Sequence, residues 1–153
     1  MAGRIVSGSG SFVRNRYIEF TFTGAAGFGA IGNCTLFTVT GAIHIVSIDA
    51  VVSSSVTVDG GTGTASLSLG IVNNTTLFNG AAISAVTLTS TNKHWQSITP
   101  TANGIAQAAT QQDIDISQNI VAAVTSSGTQ LVNGGAIEFR VVWFPITADG
   151  ALT

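Results

Sequence analysis

Asn133-Gly-Gly-Ala-Ile-Glu-Phe-Arg-Val-Val-Trp143 is the most regular segment of this chain. Four apolar side chains fall on alternate positions within it: Ile137, Phe139, Val141 and Trp143. The polar Glu138 and Arg140 lie between them. Because successive side chains of a β-strand point to opposite faces, this pattern predicts a strand with one face in a core. The preceding Asn133-Gly134-Gly135 predicts a tight turn into that strand.

Similar β-type segments recur along the chain, about eight in all, separated by turns rich in Gly, Asn and Ser. They include residues 17–23, 34–40, 43–52, 66–71, 86–89 and 114–124. No helix of ten or more residues is predicted between them, so the helical crossovers that parallel sheets need are missing. The sequence therefore predicts an antiparallel β-sandwich. Its core is expected to include Phe20, Phe22, Leu67, Leu69, Phe139, Val141 and Trp143.

Composition supports one all-β domain. The chain has 153 residues, of which 8% are charged, against about 25% in an ordinary soluble domain.

Residues 1–16 contain Arg4, Arg14 and Arg16 and no acid. This asymmetry predicts a short N-terminal basic arm, residues 1–16, followed by a sandwich domain, residues 17–153. Asp59-Gly-Gly61 is expected to form a hairpin turn.

The motifs that often carry chemistry have structural interpretations here. Gly27-Phe-Gly-Ala-Ile-Gly32 matches a dinucleotide-binding pattern, but a β-type sequence follows it, so no helix N-terminus is available for a phosphate. Asp113 and Asp115 are expected to lie on the solvated face of a strand. His44 and Cys34 occur without a recognisable catalytic or metal-binding spacing. The sequence thus predicts no catalytic, cofactor-binding or metal-binding residues, no cofactor and no enzyme activity.

The scarcity of charge favours a subunit of an assembly. Free monomers usually keep Lys and Glu on their surfaces for solubility and to prevent edge pairing. A surface of Thr, Ser, Asn, Gly and Ala suits extensive packing against other protein. The candidate partner-binding residues are the three arginines of the arm, together with a loop pair that could contact a partner or close one end of the sandwich: Arg4, Arg14, Arg16, His94 and Trp95.

Three segments carry a resemblance to a known family. They are Leu36-Phe-Thr-Val-Thr-Gly41 continuing into Ile43-His-Ile-Val-Ser-Ile48, then Ser66-Leu-Ser-Leu-Gly-Ile71, and Gly135-Ala-Ile-Glu-Phe-Arg-Val-Val-Trp-Phe-Pro-Ile-Thr-Ala-Asp-Gly150. Together they resemble the β-sandwich head decoration, or cement, proteins of tailed bacteriophages. The resemblance implies a jelly-roll-like fold, a homotrimer, and the major capsid protein as partner.

That resemblance also implies a location on the outer capsid surface of the virion, after synthesis in the host cytoplasm. The small net charge of −2 gives no reason to expect nucleic acid or an anionic membrane as a partner. The start of the chain also lacks the apolar run of a secretory signal, and no apolar stretch is long enough to span a membrane. The alternative is a carbohydrate- or receptor-binding β-sandwich module, or a phage tail or fibre subunit.

Overall fold

The computed structural model describes residues 13–79, 82–88, 94–96, 112–115 and 117–153. Within these ranges the chain forms eleven β-strands, one 3₁₀ turn and no α-helix. The strands are β1 (Arg14–Thr21), β2 (Gly32–Phe37), β3 (Val39–Thr40), β4 (Ile43–Val58), β5 (Ala65–Ile71), β6 (Ile83–Ser84), β7 (His94–Gln96), β8 (Gln112–Ile114), β9 (Ile120–Ser126), β10 (Val132–Pro145) and β11 (Ala151–Leu152). The prediction of an all-β chain is confirmed.

Two antiparallel sheets form the sandwich. The first sheet has the order β1-β10-β4-β7, with β8 also paired to β4, and the second has the order β2-β9-β5-β6. Strands β3 and β11 form a separate two-stranded pair. The main pairs are nested: β1 pairs with β10, β2 with β9, β4 with β7 and β8, and β5 with β6. This nesting, with the strands divided between two sheets, is the jelly roll that was expected.

The core lies between the sheets and contains all seven residues predicted for it. Trp95 also lies there. Its side chain is 0% exposed and meets the Phe139 ring edge-on, with ring centroids 6.0 Å apart. Trp95 does not present its indole to a partner, so its assignment to the partner-binding set was wrong. The reason is its place in β7, where it points inward toward β10, whereas the sequence indicated an irregular loop.

Two segments that were predicted to be tight turns have other roles in the fold. Asn133-Gly134-Gly135 lies inside β10, at a set of register shifts against β4. Gly135 has φ of +92° there, and an added Cβ would collide with the Ser55 carbonyl oxygen, so glycine permits the close approach of two strands. The turn that enters β10 is formed earlier, by residues 127–131.

Asp59-Gly60-Gly61 does not join a hairpin. It lies between β4 of the first sheet and β5 of the second, so it carries the chain across the sandwich. The Asp59 carboxylate accepts hydrogen bonds from the backbone N–H groups of Gly61 and Leu131, at 3.2 and 2.8 Å. Those bonds tie this crossover to the connection between β9 and β10. The sequence showed the bend but not which sheet the next strand would join.

Other boundaries differ from those predicted. Strand β1 begins at Arg14, three residues before the expected start, because the register with β10 continues to Arg14 opposite Trp143. The alternation at 86–89 is not a strand, since Ala85–Thr87 form a 3₁₀ turn after the short β6. The Ala- and Gln-rich stretch 105–112, whose composition favours one or two helical turns, lies outside the described residues except for Gln112 at the start of β8.

The glycine-rich stretch from Gly27 to Gly32 is a structural loop, as predicted. It leads directly into β2, and Gly27, Gly29 and Gly32 all have positive φ. The Gly29 carbonyl accepts a 3.0 Å hydrogen bond from the backbone N–H of Val132, which fixes the loop against β10. With β2 in the place where a helix would have to begin, this stretch lacks the geometry of a dinucleotide site.

Candidate functional site

The outer face of the first sheet collects charged side chains from four strands. Residues that are opposite each other in an antiparallel pair share a face, so the register defines two rows. Tyr17 of β1, Arg140 of β10 and Asp49 of β4 form one row. The second row is Glu19, Glu138 and Val51. We call this surface the acidic face. With Asp113 of β8, its described residues include four carboxylates and one arginine: Glu19, Asp49, Asp113, Glu138 and Arg140.

Tyr17 lies beside a carboxylate of the neighbouring strand. It is the only tyrosine of the chain, is 51% exposed, and forms a side-chain hydrogen bond with Glu138 of the neighbouring strand. That hydrogen bond, with desolvation and the charges of Glu138 and Glu19, raises the pKa of Tyr17 above its ordinary value of 10.0. Arg140 acts in the opposite direction. The tyrosine is therefore a neutral hydrogen-bond donor over the whole physiological range.

A shallow groove lies between these side chains. Its volume is about 200 Å³, and it is lined by Tyr17, Asp49, Val51, Glu138 and Arg140. We call it the Tyr17 groove. An aromatic ring, two carboxylates and a guanidinium line it, and its lining comes from three adjacent strands of one sheet. It can therefore offer both hydrogen-bond donors and acceptors from a rigid support.

A second polar contact lies further along the same face. The Nδ1 atom of His44 is 2.6 Å from the Oδ1 atom of Asp113, and the two residues are directly opposite each other on β4 and β8. The imidazole also stacks on Phe144, with ring centroids 4.7 Å apart. His44 is therefore a partly buried side chain whose Nδ1 atom is hydrogen-bonded to a neighbouring strand. Asp113 and Asp115 are exposed, as expected.

Arg14 and Arg16, two of the arginines predicted to bind a partner, do not lie on the acidic face. Arg14 and Arg16 are opposite Trp143 and Val141, so they project from the inner side of β1, the edge strand of the first sheet. Both are exposed, and the Arg14 guanidinium lies 5.2 Å from the centre of the Trp143 ring. Arg4 and the other residues before Val13 lie outside the described residues, so the arm itself stays a prediction.

His94 can be placed only by its backbone. It pairs with Val51 of β4, and its side chain lies outside the described residues. The predicted partner-binding set is therefore not brought together: Arg14 and Arg16 lie on β1, whereas His94 and the buried Trp95 share β7, which is separated from β1 by β10 and β4. The residues of the Tyr17 groove were not predicted as a site. Glu138 and Arg140 were recognised as one face of a strand, but only the register brings Tyr17 and Asp49 beside them.

The outer face of the second sheet has the opposite character. Alternation and register place nine described residues on it: Asn33, Thr35, Ser66, Ser68, Gly70, Ser84, Val121, Ala123 and Thr125. None of these nine is charged, and we call this side of the sheet the uncharged face. Ser68, Gly70, Val121 and Ala123 are buried within the chain, and the other five are partly or fully exposed. The turn after β5 folds over part of it, since a Cβ on Gly70 would collide with the Asn74 carbonyl oxygen. That turn, residues 72–79, is also without charge.

Three further observations bear on chemistry. Cys34 is buried in β2, and burial raises the pKa of its thiol, while a backbone hydrogen bond from Gly29 lowers it. In the described ranges, no three His, Cys, Asp or Glu side chains gather closely enough to hold a metal ion. The same ranges contain no helix long and apolar enough to cross a membrane.

The chain was also compared with known proteins. Searches against models of protein families, against curated proteins and against solved structures found no match.

Proposed function

We propose that this protein is a structural subunit of a bacteriophage particle, a decoration protein that binds the outside of the assembled head and stabilises contacts between major capsid subunits. One observation carries the proposal: the five residues of the uncharged face that reach the surface include no charged side chain. They are Asn33, Thr35, Ser66, Ser84 and Thr125. The cores of protein interfaces are depleted in charged residues, because each charge must lose its hydration when a partner covers it.

The two outer faces of the sandwich differ in charge, and this difference suggests which of them binds the capsid. The acidic face has four carboxylates and one arginine, which suits contact with water. The exposed and partly exposed positions of the uncharged face carry Asn, Ser and Thr side chains, which are short and allow another protein surface to approach closely. We therefore propose that the uncharged face lies on the capsid lattice and the acidic face points toward solvent.

Stabilisation follows from mass action. A protein that binds the assembled lattice, and not separated capsid subunits, favours the assembled state by an amount that grows with its concentration over Kd. If three copies associate about a threefold axis, each contact gains further from the others, by about 10²–10⁴ in effective affinity. The homotrimer is part of this proposal, and Arg4, Arg14 and Arg16 are its candidate auxiliary contacts at the edge of the sheet.

The experiment measures occupancy of capsids that lack the protein. Purified chain is mixed with such heads from the phage that encodes it, the heads are sedimented, and bound copies are counted. Thr35→Lys and Thr125→Lys place charges on exposed positions of the uncharged face, and we expect them to reduce occupancy at least tenfold. Thr21→Lys and Asn15→Lys, exposed on the opposite face of the sandwich, are the matched controls and should bind normally.

Two results would overturn the proposal. One is the lack of binding to heads at micromolar concentration, with the protein found instead on tails or fibres by imaging of the native particle. The other is equal occupancy for variants of both faces. Removal of residues 1–12, combined with Arg14→Gln and Arg16→Gln, tests the arginines separately. If they form buried ion pairs, occupancy should fall strongly at every salt concentration; if the pairs are exposed, the loss should shrink in high salt.

A further inference from the structure

The Tyr17 groove has the size of a site for a small ligand. Its volume of about 200 Å³ corresponds to roughly seven water molecules, at about 30 Å³ each. A single pyranose ring, with about twelve non-hydrogen atoms, is of this size. The groove is open to solvent on the acidic face, where an extended chain attached to such a ring can continue outward.

Donors and acceptors alternate along the groove. Arg140 lies directly opposite Tyr17 on one side and Asp49 on the other, and Glu138 precedes it by two residues on the same strand. The guanidinium has N–H donors only, whereas an ionised carboxylate has acceptors only. A sugar hydroxyl donates and accepts at once, so it can give its proton to a carboxylate and accept from Arg140. Such charge-assisted hydrogen bonds are the strong ones.

Tyr17 supplies a surface for the C–H groups of a ring. The side chain is 51% exposed and lies beside Glu138 of the neighbouring strand. A rigid aromatic side chain offers a large contact area at a low cost in conformational entropy. Because the lining comes from three neighbouring strands, the geometry is set by the sheet before a ligand binds.

The charge pattern selects against other small ligands. Glu19, Glu138 and Asp49 oppose an anion such as a phosphate or a carboxylate. Arg140, in the middle of its row, opposes a cationic side chain. Val51 is the only aliphatic side chain of the lining, so an apolar ligand would have to desolvate charged groups. A neutral ligand rich in hydroxyl groups avoids all three penalties.

We propose that the Tyr17 groove binds carbohydrate, taking one neutral sugar ring of a larger glycan against Tyr17 with its hydroxyl groups on Asp49, Glu138 and Arg140. This site is distinct from the uncharged face, and the proposal does not depend on attachment to a capsid. On a particle decorated as proposed above, the groove would face outward, and many copies would add avidity to weak single contacts.

The test uses the full chain with a printed array of neutral and charged oligosaccharides of bacterial and animal origin. The strongest glycan is then titrated in solution against the labelled protein by NMR. We expect binding to a neutral sugar, with Tyr17→Ala and Arg140→Met each weakening it at least tenfold. Tyr17→Phe keeps the ring but not the bond to Glu138 and should have a smaller effect. Asn15→Ala, exposed on the same face two positions earlier, should bind like the original protein.

Three results would overturn the proposal. They are binding to none of the oligosaccharides, binding that is unchanged in both Tyr17→Ala and Arg140→Met, and binding confined to anionic glycans. A nona-arginine peptide serves as a second probe. If it binds in place of glycans and Glu138→Gln abolishes that binding, the groove receives a basic protein segment instead. Occupancy of capsids is measured on the other face, so either proposal can fail while the other stands.

Discussion

Replacing Trp95 with alanine separates a core position from a partner contact. The side chain is 0% exposed and packs edge-on against Phe139. A buried aromatic removes about 150–250 Å² from water, which at about 25 cal/mol per Å² contributes about 4–6 kcal/mol. Alanine keeps a small part of this, so we expect Trp95→Ala to lower the free energy of unfolding by about 3–5 kcal/mol. A domain has only about 5–15 kcal/mol in total.

The measurement is equilibrium unfolding in urea, followed by far-ultraviolet circular dichroism. With a slope of about 2 kcal/mol per M, a loss of about 4 kcal/mol lowers the midpoint by about 2 M. Val86→Ala is the control, since Val86 is an exposed apolar residue in the 3₁₀ turn and should change stability by about 0.5 kcal/mol or less. The slope should stay unchanged in both variants if the unfolded chain is equally expanded.

A double-mutant cycle tests the contact itself. Trp95→Leu and Phe139→Leu should be coupled by about 0.5–1.5 kcal/mol, the usual value for an aromatic pair beyond its buried area. Among the described residues the buried Trp95 Nε1 atom has no hydrogen-bond partner, so Trp95→Phe should cost less than Trp95→Ala because it keeps a ring in the core and breaks no bond to them. A loss of less than about 1 kcal/mol in the free energy of unfolding for Trp95→Ala would refute the burial of this side chain.

Three other predictions use single residues of the chain as probes. Tyr17, the only tyrosine, should titrate above pH 10.0 when tyrosinate absorbance is followed, and Glu138→Gln should move its pKa back toward that value. Because the pKa of Tyr17 is raised in the folded state, the stabilisation from this pair is complete below about pH 10 and is lost at higher pH. Cys34, the only cysteine, should react with a thiol reagent only after unfolding, so rapid reaction under native conditions would contradict its burial. Gly29→Ala should destabilise the chain by at least about 1 kcal/mol more than Gly27→Ala in the same urea experiment, because an added Cβ at Gly29 meets the Val132 carbonyl oxygen while Gly27 has open space. Equal losses for the two variants would contradict the close approach of Gly29 to Val132.

The sequence by itself determined the class of fold and most of the core. Alternation with a period of two is a local property, so Ile137, Phe139 and Val141 could be assigned to one face without knowing any partner strand. The same reasoning identified Gly27–Gly32 as a loop, because the β-type residues after it leave no place for a helix. The prediction failed where the local signal was ambiguous, because a pair of glycines fits both a turn and a bulge. Gly134 and Gly135 were predicted to form a turn, but they lie at register shifts within β10.

Only the tertiary structure decided which strands are neighbours, and with that the candidate sites. His44 contacts Asp113, which lies 69 positions away in the sequence. Tyr17 lies beside Glu138 only because β1 pairs with β10. Trp95 is buried because β7 pairs with β4, which no local pattern indicated. The separation of an acidic face from an uncharged face depends on the same choice of partners. A period of two assigns each side chain to a side of its own strand, but only pairing between distant segments fixes which sides form one surface.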